Sequence, residues 1–118
     1  MYPLLLHKTL TVEKWAAYPV DRQILMIANE LNRLKNGVTK SQSVLDLRGC
    51  MERAFELIDL TINSHRGSLQ RELLYFRELF SELYLLNEVA LSKELPKIEA
   101  LYKALLLLNG KSAALAFL

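Results

Sequence analysis

The chain has 118 residues, 24% of them charged, with a formal net charge of +2 at pH 7. That length supports one hydrophobic core and excludes two ordinary ones, and the mild charge, with no Lys/Arg run longer than two, argues against nucleic acid as a partner. A lone cysteine, Cys50, excludes an intramolecular disulfide and a cysteine-rich zinc site, and fits a reducing cytoplasm.

Leucine is the compositional outlier, at 27 of 118 residues, while only 4 Gly and 3 Pro are present. Leucine joins good helix propensity to large apolar burial. The opening Met1-Tyr2-Pro3-Leu4-Leu5-Leu6-His7-Lys8 lacks the basic start and long apolar stretch of a signal peptide. No window approaches 18 uninterrupted apolar residues, so no membrane-spanning helix is expected.

In chain order, 11–18 can form two helical turns with Thr11 as N-cap. A first long helix is expected over 19–35, opened by Pro19, with Ile24, Ile27, Leu31 and Leu34 on one stripe and Asn36-Gly37 as a left-handed stop. A second is expected over 43–63, with Val44, Leu47, Met51, Phe55, Ile58 and Ile62 inward. Gly49 lies inside it, at a cost of about 1 kcal/mol relative to alanine; a close helix crossing would explain it, and so would neutral drift. The third and longest is expected over 68–91, where Leu69, Leu73, Phe76, Phe80, Leu83, Asn87 and Ala90 follow a heptad-like spacing with Asn87 as its polar member. Leu95 precedes Pro96 and should break the helix; a fourth follows over 96–108, with Ile98, Leu101, Leu105 and Leu108 inward and Asn109-Gly110 as its stop. An apolar tail, 111–118, ends the chain. Short connections between long amphipathic helices imply antiparallel neighbours. The expected fold is a single all-α domain, an antiparallel up-down four-helix bundle with a short N-terminal helical segment.

No catalytic, cofactor or metal site is expected. His7 and His65 are the two histidines, and neither follows a Glu at the Glu-x-x-His spacing of a di-iron bundle. There is no G-x-S-x-G, P-loop or G-x-G-x-x-G. A helical nuclease built on His65 and Arg66 would need them to converge with a carboxylate such as Glu72. Cys50 reads as a buried, inert thiol, because no basic cluster surrounds it in sequence. Tyr75, Tyr84 and Tyr102 are interleaved with Glu as often as with Lys or Arg, unlike a base-stacking set.

The apolar excess points to protein contacts. Residues 83–91 and 105–108 are apolar around most of a helix circumference, and such surface needs cover from the tail, a second copy or a partner.

Several motifs carry a resemblance. A proline opening the first long helix, then Ile24-Leu25-Met26-Ile27, resembles the flagellin export chaperone family, small cytoplasmic bundles that hold flagellin before secretion. Leu83-Tyr84, then Val89-Ala90-Leu91-Ser92-Lys93-Glu94 ahead of a leucine-rich last helix, is similar to that family's Leu-Tyr, Ala-Asn-x-x-Lys-Asp and final helix. Helix order, loop positions and length fit over nearly the whole chain. The sequence departs from the family where Ala28-Asn29-Glu30 stands for Tyr-Asp-Gly and Ala90-Leu91 for Ala-Asn. The resemblance implies helix-in-groove recognition of a disordered client segment, with Ile24, Ile27, Leu85, Leu86 and Val89 as the candidate partner-binding surface. The leading expectation is therefore a cytoplasmic, non-enzymatic interaction module of the chaperone or adaptor kind. The alternatives are a self-associating homodimer without a client and the helical nuclease.

Overall fold

A computed structural model describes residues 10–108, and the architecture is all-helical, with no strand among the described residues. His7, the Asn109-Gly110 stop and the apolar segment 111–118 lie outside the described residues.

Helix α1 spans Val12–Ala17, and the Thr11 hydroxyl caps it by accepting from the Lys14 N–H at 3.1 Å. Six residues are too few to be helical in isolation. Burial of Trp15 against α3 holds this segment in place.

Helix α2 spans Val20–Thr39, with Pro19 as its N-cap and Asp21 in the first turn. Ile24, Ile27, Leu31 and Leu34 are all buried, as their spacing requires. The helix runs four residues past the expected end, because Gly37 is helical rather than left-handed. The left-handed residue is Ser41, at φ 56°. Around it the Gln42 N–H donates to the Gly37 carbonyl at 2.9 Å and the Ser41 N–H to the Val38 carbonyl at 3.1 Å. This is the paired 6→1 and 5→2 pattern of a Schellman motif. Gly37 is needed for a different reason: a Cβ there would lie 2.7 Å from Leu47 Cδ2 of the next helix.

Helix α3 spans Val44–Ser64, capped by Ser43 accepting from the Asp46 N–H at 3.2 Å. It packs against α1, α2 and α4. Its buried arc is therefore wider than one stripe and adds Cys50, Ala54, Leu57 and Leu60 to the expected Leu47, Met51, Ile58 and Ile62. No close helix crossing accounts for Gly49; the nearest atom to its missing Cβ is Arg53 Nη1, at 3.6 Å.

Helix α4 spans Ser68–Tyr84 and starts from Gly67 at φ 79°. The expected third helix is divided here. Asn87 does not occupy a core seam; it is exposed and caps the short α5, Glu88–Ser92, accepting from the Ala90 N–H at 2.8 Å. Asparagine competes with helix backbone by such local bonds, and here the cap wins over the heptad. The longest helix is consequently α3.

Helix α6 spans Leu95–Leu107 with Pro96 in its first turn. It packs mainly on α2, whereas α4 and α6 meet only sparsely. Side chains tie helix ends together: Lys35 of α2 to Glu99 of α6 at 3.3 Å, Lys97 of α6 to Glu82 of α4 at 2.5 Å, and Glu88 to the Val44 N–H at 2.9 Å. Exposed pairs of this kind add little stability. Their value here is to show which helix ends adjoin. No helix among the described residues is long and apolar enough to cross a membrane.

Candidate functional site

The sparse contact between α4 and α6 leaves a groove of about 420 Å³. Along α4 its wall is formed by Arg71, Glu72, Tyr75, Phe76 and Leu79, starting at Ser68. Along α6 it is formed by Leu101, Ala104 and Leu108. The spacing explains both walls. Ser68, Glu72, Tyr75 and Leu79 recur at four, three and four residues, and so line one face of α4. Leu101, Ala104 and Leu108 do the same on α6. Ala104 is the small residue of that row and leaves room where a leucine would close the gap.

Most of the lining is apolar, and Arg71 and Glu72 gather at one end. Neither makes an ion pair with another described residue. Tyr75, in the lining, keeps 64% of its surface exposed. Phe76 belongs to both groove and core; its ring stacks on Phe80 at 6.0 Å between centroids, and Phe80 lies 5.1 Å from Phe55. The floor is thus backed by a packed aromatic row and is preformed. With an aliphatic wall and one polar end, the groove suits the apolar face of a helix better than a reaction.

The sequence-expected partner surface is split by the structure. Ile24 and Ile27 are fully buried in the core between helices and cannot belong to an exposed surface. Their spacing marked a buried stripe, and the tertiary contacts of α2 with α3 and α6 cover it. Leu85 and Val89 are strongly exposed and Leu86 is half-buried. These three lie around the α4–α5 junction, apart from the groove lining. Exposed Leu45 is close to that junction: one turn along α3, the Arg48 guanidinium donates to the Tyr84 carbonyl at 3.3 Å. The apolar runs are accordingly only half satisfied. Leu83, Leu91, Leu105 and Leu106 are buried, while Leu85, Val89 and Leu107 are not.

His65, Arg66 and Glu72 are not brought together. His65 is tied to Gln23, at 2.7 Å from Nε2 to the amide oxygen. The Gln23 amide nitrogen donates to the carbonyls of Trp15 and Tyr18 at 2.8 and 3.2 Å, which fixes the oxygen toward His65. Nε2 of His65 must therefore carry the proton in this bond. Burial pushes the His65 pKa below the ordinary histidine value, favouring the neutral ring. The Arg66 guanidinium turns back to the carbonyls of Asn63 and His65, while Glu72 lines the groove. The Trp15 indole donates to Thr61 Oγ1 at 3.0 Å, and Thr61 donates to the Leu57 carbonyl at 2.7 Å. Gln23, Thr61 and Trp15 thus form a buried polar seam that joins α1 to α2 and α3. Sequence reading missed it. Gln23 directly precedes the apolar run Ile24–Ile27, and that adjacency was the available signal.

A buried charge, Glu30, pairs with Arg33 at 2.9 Å and with Arg53 at 3.2 Å. Arg53 also reaches the Cys50 sulfur at 3.3 Å. Burial nevertheless outweighs that guanidinium and raises the thiol pKa, so Cys50 stays protonated and a poor nucleophile. Among the described residues no three His, Cys, Asp or Glu side chains form a group able to hold a metal ion.

Comparison with protein-family models, with curated proteins and with solved structures finds no match to this chain.

Proposed function

We propose that the chain is a non-enzymatic, helix-binding module of the chaperone or adaptor kind, in which the α4/α6 groove receives the apolar face of an amphipathic client helix. The observation that carries this reading is the groove itself, an apolar channel between two helices that barely touch, lined by Tyr75, Phe76 and Leu79 on one side and by Leu101, Ala104 and Leu108 on the other. The proposal includes the finer architecture: α2, α3, α4 and α6 as an antiparallel up-down four-helix bundle with one loosely closed seam. It is supported by the end-to-end ties Lys35–Glu99, Lys97–Glu82 and Glu88–Val44. The free, buried Cys50 thiol suits a reducing cytoplasm as the working compartment.

The mechanism is burial. From Ser68 to Leu79 a helix advances roughly 17 Å, room for about three turns of client. Three apolar anchors at i, i+4 and i+7 would each gain about 1.5–3 kcal/mol on burial. Ordering of a disordered segment offsets part of that gain. Arg71 and Glu72 at one end, which pair with no other described residue, would set the client's direction by pairing with the client's charges. The flagellin export chaperone resemblance suggests the first client class to try, a terminal helical segment of an exported filament subunit.

A fluorescently labelled synthetic amphipathic peptide of about twelve residues tests the reading, with leucines on one face and balanced Lys and Glu on the other. Ala104→Trp should fill the groove and weaken binding by about tenfold or more, a difference of roughly 1.4 kcal/mol. Because Ala104 is exposed, thermal stability should stay close to that of the unsubstituted chain. Equal binding by the two proteins would refute the groove as the client site. A self-associating homodimer is the second reading, and exposed Leu45, Leu85 and Val89 favour it. Light scattering over a hundredfold range of concentration separates a constant dimer from a monomer.

A further inference from the structure

The two walls of the α4/α6 groove run on past its apolar lining. On α4 the row through Glu72, Tyr75 and Leu79 continues, at the same alternation of three and four residues, to Glu82. On α6 the row through Leu108, Ala104 and Leu101 continues in the same way to Lys97. Glu82 and Lys97 therefore stand on one rung, a turn past Leu79 and Leu101, and they meet there: Lys97 Nζ donates to Glu82 Oε2 at 2.5 Å.

The Glu82 and Lys97 side chains keep 58% and 33% of their surface in water. A helix laid along the groove beyond its third turn would cover them. An aliphatic residue above the rung would strip that water and return no bond, which penalises both charges. A client residue that bonds to the rung avoids the penalty. Glu82 is the more exposed of the pair, and its bond to Lys97 uses one carboxylate oxygen, leaving Oε1 for a second donor. A guanidinium, weakly hydrated and offering several N–H donors, suits a half-covered carboxylate that already holds one cation.

We propose that Glu82 is a specificity-determining residue of the groove: it selects a client helix that carries an arginine one turn beyond its apolar anchors, and so fixes the register in which the client lies. The inference rests on the reading of the groove as a helix-binding site. An apolar channel alone would accept the client's apolar stripe shifted by a turn, and one polar position in the seam removes that freedom, as a lone polar residue does in a coiled coil.

The twelve-residue amphipathic peptide supplies the probe. It is extended by one turn, at either end, with Arg, Leu or Glu at the position that continues its leucine row, and each peptide is titrated into the full chain. For one of the two extensions the Arg peptide should bind about fivefold tighter than the Leu peptide, the upper range for a partly exposed ion pair. Glu82→Lys should invert the order and make the Glu peptide the tightest. Should thermal melts show that Glu82→Lys does not fold, Glu82→Gln decides, and should shrink the Arg preference. Arg and Leu peptides that bind alike in both extensions, or an Arg preference that survives these substitutions, would overturn the role of Glu82. If the parent peptide does not bind the native chain, the groove reading falls and this inference with it. If the parent peptide binds and is weakened by Ala104→Trp while arginine gains nothing, only the role of Glu82 falls.

Discussion

Gly37→Ala and Gly49→Ala are the same chemical change in two helix interiors, and the structure expects them to differ in outcome. Each replaces glycine by the best helix former, a gain of about 1 kcal/mol. At Gly49 nothing opposes that gain, since the new methyl would meet only Arg53 Nη1 at 3.6 Å. At Gly37 the methyl would lie 2.6 Å from Gln42 Oε1 and 2.7 Å from Leu47 Cδ2. Carbon atoms rest at about 3.5–4.0 Å, so both contacts must open by close to an ångström. Gln42 is exposed and can swing away at little cost. Leu47 is buried, with 3% of its surface exposed, and its displacement carries the usual overpacking penalty of about 1–3 kcal/mol. Gly49→Ala should therefore stabilise the fold by about 1 kcal/mol, and Gly37→Ala should fall below it by about 1–3 kcal/mol. Urea unfolding followed by Trp15 fluorescence reads the difference directly, because Trp15 is the sole tryptophan and is fully buried. With a urea slope typical of a small domain, the two midpoints should stand about 1 M apart. Gly37→Ala as stable as Gly49→Ala would mean that α2 and the start of α3 do not approach as described.

Three further substitutions test local geometry and the polar seam. Ser41→Gly should stabilise the chain by up to about 1 kcal/mol in the same assay, because a left-handed residue at the end of α2 costs serine energy that glycine does not pay. Gly67→Ala should cost about 1–3 kcal/mol although no atom lies within 4 Å of the new methyl, since the strain is in the backbone at φ 79°. His65 has a lowered pKa in the folded chain, so the unfolded state binds its proton more readily. The stability linked to this residue is present above the ordinary histidine value of about 6.5 and is lost as pH falls through the folded-state pKa. Denaturation at pH 7.5 and 5 should show the native chain losing more stability than His65→Gln, and an equal loss would remove His65 from the account.

Features governed by a few neighbouring residues were legible in the sequence. Thr11 and Ser43 cap their helices because a side-chain oxygen reaches an N–H three residues on, a distance set within the segment itself. Pro96 sits in the first turn of α6 for a similarly local reason. The stripe Ile24, Ile27, Leu31, Leu34 is buried because helical periodicity places those side chains on one face and such a face must be covered. Asn87 and Gly37 were misread from sequence, because spacing alone cannot say which neighbours pack where. Asn87 read as a heptad seam residue and caps α5 instead, and Gly37 read as a left-handed stop and instead lies where Leu47 of α3 approaches α2. The groove was set entirely by tertiary structure. Leu105, Leu106, Leu107 and Leu108 are one residue type in an unbroken run, yet two are fully buried, one is exposed and one borders the groove. Composition made an apolar surplus certain. Only the choice of α2 rather than α4 as the main neighbour of α6 decided where that surplus would open to solvent, because a helix can bury only the faces its neighbours reach.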